Sequence, residues 1–197
     1  MSTLEAVHVA IDLIHVPSRV RRQKSLPLPD GTTIVLRIAA GDESALSEAS
    51  NAVDRPPALL HNAAAFFIEQ ILLCPDADSY RVLGTSPDAT GGELRRNMAL
   101  LLKWVHPDAN QQSDRSIFAG RVTQAWENVK TPERRAAYDT ASRAHDVAPR
   151  ARNRPDGGRR FQRYASRRHS GLWESEHQGL LRRAMSLLLG GKRHRRR

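Results

Sequence analysis

The sequence predicts an all-α protein organised around a helical hairpin with short flanking helices, and three observations support that class. Apolar residues make up 40% of the 197 positions while aromatics make up only 5%, a balance that suits a small helical bundle better than a sheet. Apolar side chains recur three and four residues apart, the spacing of one face of a helix. Prolines and glycines fall between those stretches, where helices start and stop.

Three segments separate by composition: 1–75, 76–142 and 143–197. In the first, Leu26-Pro-Leu-Pro-Asp-Gly31 reads as a turn-rich connection. Thr32 to Ala40 is β-branched enough for either a strand or a buried helix; a helix is preferred because no partner strand is evident nearby. Gly41-Asp42 leads into a further helix, Glu43 to Val53. The apolar stretch from His61 to Leu73 is helical in pattern, with Pro56-Pro57 to start it and Pro75 to stop it. Residues 1–75 are expected to form a small helical N-terminal region.

The middle segment has the clearest local signals. Asp78 to Gly84 predicts a short helix with a glycine stop, Tyr80 and Leu83 sharing a face. Thr90-Gly-Gly-Glu93 has the spacing of a capping box, and Leu94, Met98, Leu101 and Val105 then form a buried stripe. That helix must end at His106-Pro107-Asp108, because proline disfavours helical geometry in the residue before it and lacks an N–H of its own. His106 and Asp108 are thus expected on an exposed bend. A third helix is predicted from about Asp114, with Phe118, Val122, Ala125 and Val129 inward. Thr131-Pro132-Glu133 stops it and starts another, from which Tyr138 can fold back onto the core.

Asp78-x-Tyr80-x-x-Leu83-Gly84, the basic amphipathic helix, His106-Pro107-Asp108, Phe118…Ala125-Trp126 and Arg134-Arg-Ala-Ala-Tyr-Asp139 occur together in one order and spacing. This pattern resembles the J-domain of DnaJ-type co-chaperones, over about a third of the chain. The resemblance implies a protein that stimulates ATP hydrolysis by a DnaK-type heat-shock chaperone and recruits it to a client or site. It assigns His106, Pro107 and Asp108 to the triggering loop, and Arg95, Arg96 and Lys103 to the basic docking face. Two departures stand out. Ala99 and Leu100 occupy positions that are commonly basic in the family, and Leu100 with Trp104 forms an apolar pair on a face that is normally solvated. The pair is expected to meet the N-terminal helices or a partner. Arg134 and Arg135 are read as surface residues.

The charge is concentrated at one end. Of 31 Lys/Arg and 21 Asp/Glu, sixteen and four lie between Arg143 and Arg197, so the basicity belongs to the tail. This tail is expected to be largely disordered around Pro155 and Gly157-Gly158, with a short amphipathic helix about Ser175 to Leu189. Phosphate contact with nucleic acid and attachment to an anionic membrane both fit it, as does a solubilising extension. Phe161, Tyr164 and Trp173 could stack on bases or seat at an interface. The alternative function is therefore a basic adaptor whose J-like fold does not stimulate an ATPase. No enzyme is expected, since no serine or cysteine nucleophile has a supporting base. The lone Cys74 excludes an internal disulfide, and His8, His15 and His61 lack ligand spacing, so no metal or cofactor is expected. The first residues lack a basic stretch followed by an uninterrupted apolar one. A cytoplasmic protein is expected, with peripheral membrane association open through the tail.

Overall fold

In the computed structural model, residues 4–106 and 115–147 are described, and among them every regular element is helical. Those up to Tyr138 form one compact unit. The tail beyond residue 147, with its expected disorder and amphipathic helix, lies outside the described residues. No helix among the described residues is long and apolar enough to cross a membrane.

The first element, α1 (Glu5–His15), buries Ala6, Val7, Ala10 and Leu13, a 3–4 spacing that makes one apolar stripe. A 3₁₀ turn, Pro17–Arg19, leads into the short α2 (Val20–Lys24). The ambiguous stretch is a helix, α3 (Thr32–Ala39), with Val35, Leu36 and Ile38 buried. Its β-branched residues are accommodated because they pack on other helices, which overrides a weak local preference. Next comes α4 (Glu43–Val53), whose N-cap Asp42 accepts hydrogen bonds from Ser44 N and Ala45 N, both at 3.1 Å.

The centre of this half is α5 (Pro57–Phe67). It buries Leu60, Ala63, Ala64, Ala65 and Phe67 and packs against α1, α3 and α4. A helix that is apolar on most sides can only be stable when surrounded. It continues as one π turn, Ile68–Leu72, closed by Leu73 N–H donating to Ile68 O at 2.9 Å. The widened turn was not legible in the sequence, although Pro75 was read correctly as the stop.

The second half begins with α6 (Ser79–Val82), capped by Asp78, and the hairpin of α7 (Gly91–Val105) and α8 (Ala119–Val129). A 3₁₀ turn, Arg115–Phe118, precedes α8. Leu94, Met98, Leu101 and Val105 are all buried, and Val122, Ala125 and Val129 face them from α8 as expected. Thr131 Oγ1 accepts from Arg134 N at 3.3 Å and starts α9 (Pro132–Val147). Tyr138 returns to the core: its ring meets Tyr80 edge-on at 5.8 Å, and its hydroxyl accepts from Ser79 N at 2.9 Å.

Candidate functional site

Every sequence-derived site residue belongs to α7 or to the three residues that follow it in the sequence. The helix starts in a complete capping box: Glu93 N donates to Thr90 Oγ1 at 3.2 Å, and Thr90 N donates to Glu93 Oε2 at 2.7 Å. The Thr90 backbone N–H, then the Thr90 hydroxyl, hold the Glu93 carboxyl below its ordinary value of 4.5. This closes two of the free N–H groups at the helix start and fixes the phase of everything downstream.

At about 100° per residue, Arg95, Lys103 and Arg96 fall within an arc of roughly 100° on the side away from the buried stripe. All three are exposed, and none makes a hydrogen bond or ion pair among the described residues. They form a solvent-facing cationic strip about two turns long. Ala99 and Leu100 interrupt it and are half-buried. The helix ends at Val105, and His106 has φ −65° and ψ 133°. That extended geometry is what a residue preceding proline adopts, so the chain leaves the helix where its sequence requires. His106 is half-buried. Pro107 and Asp108 lie outside the described residues.

Trp104 has the intramolecular contact expected as one of two outcomes for its face. It is 1% exposed, and its ring lies near-parallel to that of Phe118, 23° between planes with centroids 6.2 Å apart. Its contact is therefore intramolecular, but its cover includes the opposite arm of the hairpin. The indole sits on the edge of the α7 stripe that turns toward the start of α8.

Asn97, which the sequence motifs do not single out, reaches the N-terminal half. It is 1% exposed. Its Nδ2 donates to Leu83 O at 3.1 Å and Gly84 O at 3.2 Å, and its Oδ1 accepts from Thr33 Oγ1 at 3.2 Å. One amide thus joins α3, the turn after α6, and α7. Gly84 beside it has φ +64°, and a Cβ there would come within 3.2 Å of both Leu36 Cδ1 and Thr32 Cγ2. The glycine read as a helix stop is also a point of close approach.

Two further clamps join the halves. The Arg121 guanidinium on α8 donates to the carbonyls of Leu73, at 3.0 Å, of Cys74, and of Pro75, at 3.2 Å. It closes the carbonyl end of the α5–π segment, where cations are favoured. Arg81 donates to Leu26 O in the connection before α3. Arg135 is also more than a surface residue. It donates to Tyr80 Oη at 3.2 Å, to Ala89 O at 2.7 Å and to Pro87 O, with its guanidinium carbon 5.4 Å from the Tyr80 ring centroid. It fixes the loop that leads into the Thr90 cap. Arg134 is exposed and pairs with Glu127 at 2.8 Å, as a surface residue would.

A family model for the DnaJ domain matches residues 78–139. The chain is similar to the "Chaperone protein DnaJ" of Latilactobacillus sakei, 40% identical over 62 residues, which are 32% of this chain and 16% of that protein. It is 36% identical over 76 residues to the protein of the same name from Thermosipho africanus, covering 38% of this chain and 20% of that one. It is also 36% identical over 62 residues to a "Curved DNA-binding protein" of Coxiella burnetii, covering 32% and 20%. The chain therefore spans no more than about a fifth of these relatives' length. No solved structure matches it.

Proposed function

We propose, from the premise that this chain carries a J-domain over residues 78–139, that it is a co-chaperone stimulating ATP hydrolysis by a DnaK-type heat-shock chaperone. The observation that supports this most is the continuity of the cationic strip on α7 with a helix end where His106 is already extended. Arg95, Arg96 and Lys103 supply electrostatic steering toward an acidic partner. The loop of His106, Pro107 and Asp108 supplies the contact that favours one chaperone conformation over another. The J-domain performs no chemistry itself; it contributes coupling free energy to the partner's nucleotide site. The cytoplasm is the proposed compartment. The test is single-turnover ATP hydrolysis by the cognate chaperone, with wild type and His106→Gln compared. The wild type is expected to accelerate hydrolysis and the variant to leave it at the basal rate. Equal rates with and without the wild-type chain would end this reading.

A second reading has its own support. The cationic strip is thinned by Ala99 and Leu100, the tail is strongly basic, and one relative is named as a DNA-binding protein. In that reading the tail attaches the chain to nucleic acid or to an anionic membrane, and stimulation is lost or secondary. Deleting residues 143–197 would then abolish function while His106→Gln would not.

A further inference from the structure

The N-terminal half holds a second cationic surface that the J-domain does not account for. Four cations fall within six residues, Arg19, Arg21, Arg22 and Lys24, on α2 and the turn before it. Between α1 and α2 runs a groove of about 360 Å³, within the size range of ligand sites. Val9, Leu13 and Leu26 give it apolar walls, and Arg19 and Arg22 line it beside them. Asp12 is the one carboxylate among its lining residues, and it pairs with Arg19 at 3.1 Å with both side chains more than 60% exposed. Such an open pair contributes little and exchanges readily. The Arg22 guanidinium, also exposed, makes no hydrogen bond or ion pair among the described residues. Leu26, at 40%, and Val16, at 38%, are two of the three exposed large apolar residues among those described.

The geometry points to a docking groove for an acidic, leucine-rich or isoleucine-rich peptide segment of a partner protein. Its aliphatic side chains enter against Val9, Leu13 and Leu26, while its carboxylates take the forked donors of Arg22 and Arg19. Concavity disfavours a bilayer, which needs apolar side chains projecting from a convex or flat face. The aliphatic walls disfavour single-stranded nucleic acid, which stacks on aromatic rings. This surface is separate from the chaperone-triggering loop, so it would place a bound segment on the same compact unit as the J-domain.

The experiment pans a random dodecapeptide library over the 197-residue chain, and measures the affinity of a synthetic form of the enriched sequence. The expected enrichment combines Asp or Glu with Leu or Ile. Its dissociation constant should rise about tenfold or more in R22E and separately in L26Q, with both variants melting as the wild type does. It should remain unchanged in H106Q, which separates this proposal from the chaperone reading. Parallel arms use vesicles of phosphatidylcholine and phosphatidylserine, and a labelled DNA duplex. No shared acidic–aliphatic motif, equal peptide affinity for R22E, or an R22E defect confined to vesicles or DNA would overturn the proposal.

Discussion

Replacing Asn97 with alanine tests whether the N-terminal half is bound into the J-domain or merely lies beside it. The side chain makes three hydrogen bonds, two as donor to Leu83 O and Gly84 O and one as acceptor from Thr33 Oγ1. Each contributes about 1 kcal/mol net, and buried carbonyls left without a donor add about 1 kcal/mol or more between them. The expected loss is therefore roughly 3–4 kcal/mol, a large share of the 5–15 kcal/mol typical of a domain. With a urea dependence of about 2 kcal/mol per molar, the unfolding midpoint should fall by about 1.5–2 M. Thr33→Val removes only the bond at the half-buried end and should cost about 1 kcal/mol. Because the two residues share that bond, the double variant should be less destabilised than the sum of the singles by about 0.5–1 kcal/mol. Equilibrium urea unfolding followed by tryptophan fluorescence measures all four corners. A loss under about 0.5 kcal/mol in N97A, or strict additivity with T33V, would show that the amide is not the joint described here.

Three other outcomes follow from the same contacts. Gly84→Ala places a Cβ at φ +64°, 3.2 Å from Leu36 and Thr32; backbone strain plus crowding should cost about 2–3 kcal/mol in the same urea assay. Arg121→Ala leaves the carbonyls of Leu73, Cys74 and Pro75 without their shared donor. Calorimetry should show a lower melting temperature, only partly restored by Lys, which lacks the planar fork. Asp42 and Glu93 both have carboxyls held below their ordinary values, by the Arg37 side chain and the Thr90 backbone N–H respectively. A depressed folded-state value means that stabilisation is present above the unfolded value and disappears as pH falls through the folded one. Stability should therefore decline below about pH 4.5, and the decline should be shallower in D42N and E93Q, as read by urea midpoints across pH 2.5–6.

The elements of residues 76–142 were legible because local chemistry and tertiary packing agree there. Thr90 and Glu93 cap α7 through bonds to each other, the residue before Pro107 leaves it, and Thr131-Pro132 starts α9. The stretch from Thr32 was legible only as an ambiguity, since its β-branched residues decide nothing until α5 and α7 are beside them. The π turn at Ile68–Leu72 has no sequence signal that distinguishes it from more α-helix. The Trp104 contact was legible only as a choice between an intramolecular and a partner surface, because a helical wheel shows which side a residue lies on, not which neighbour its ring reaches. Asn97 had a signal that went unused: it is a lone amide within the run of apolar positions from Leu94 to Leu101. A buried polar residue requires partners, and here those partners are the joint between the two halves.

That joint also limits what the N-terminal half can do to the cationic strip on α7. Asn97 lies about 100° around α7 from Arg96 and farther still from Lys103 and Arg95. The α3 contact through Thr33 therefore approaches the helix from the side and leaves the three cations open, as their exposure records. The N-terminal half is consequently not a lid over the strip. It grips the turn at Gly84, the flank of α7 at Asn97 and α8 at Arg121, and all three contacts stabilise the hairpin whose first arm ends at His106. A partner held by the N-terminal half would share one compact unit with the J-domain, so the unit itself, rather than a flexible linker, would set the distance from that partner to His106. If proteolysis or truncation of the first 75 residues left the hairpin with an unchanged melting temperature, that mechanical coupling would not exist.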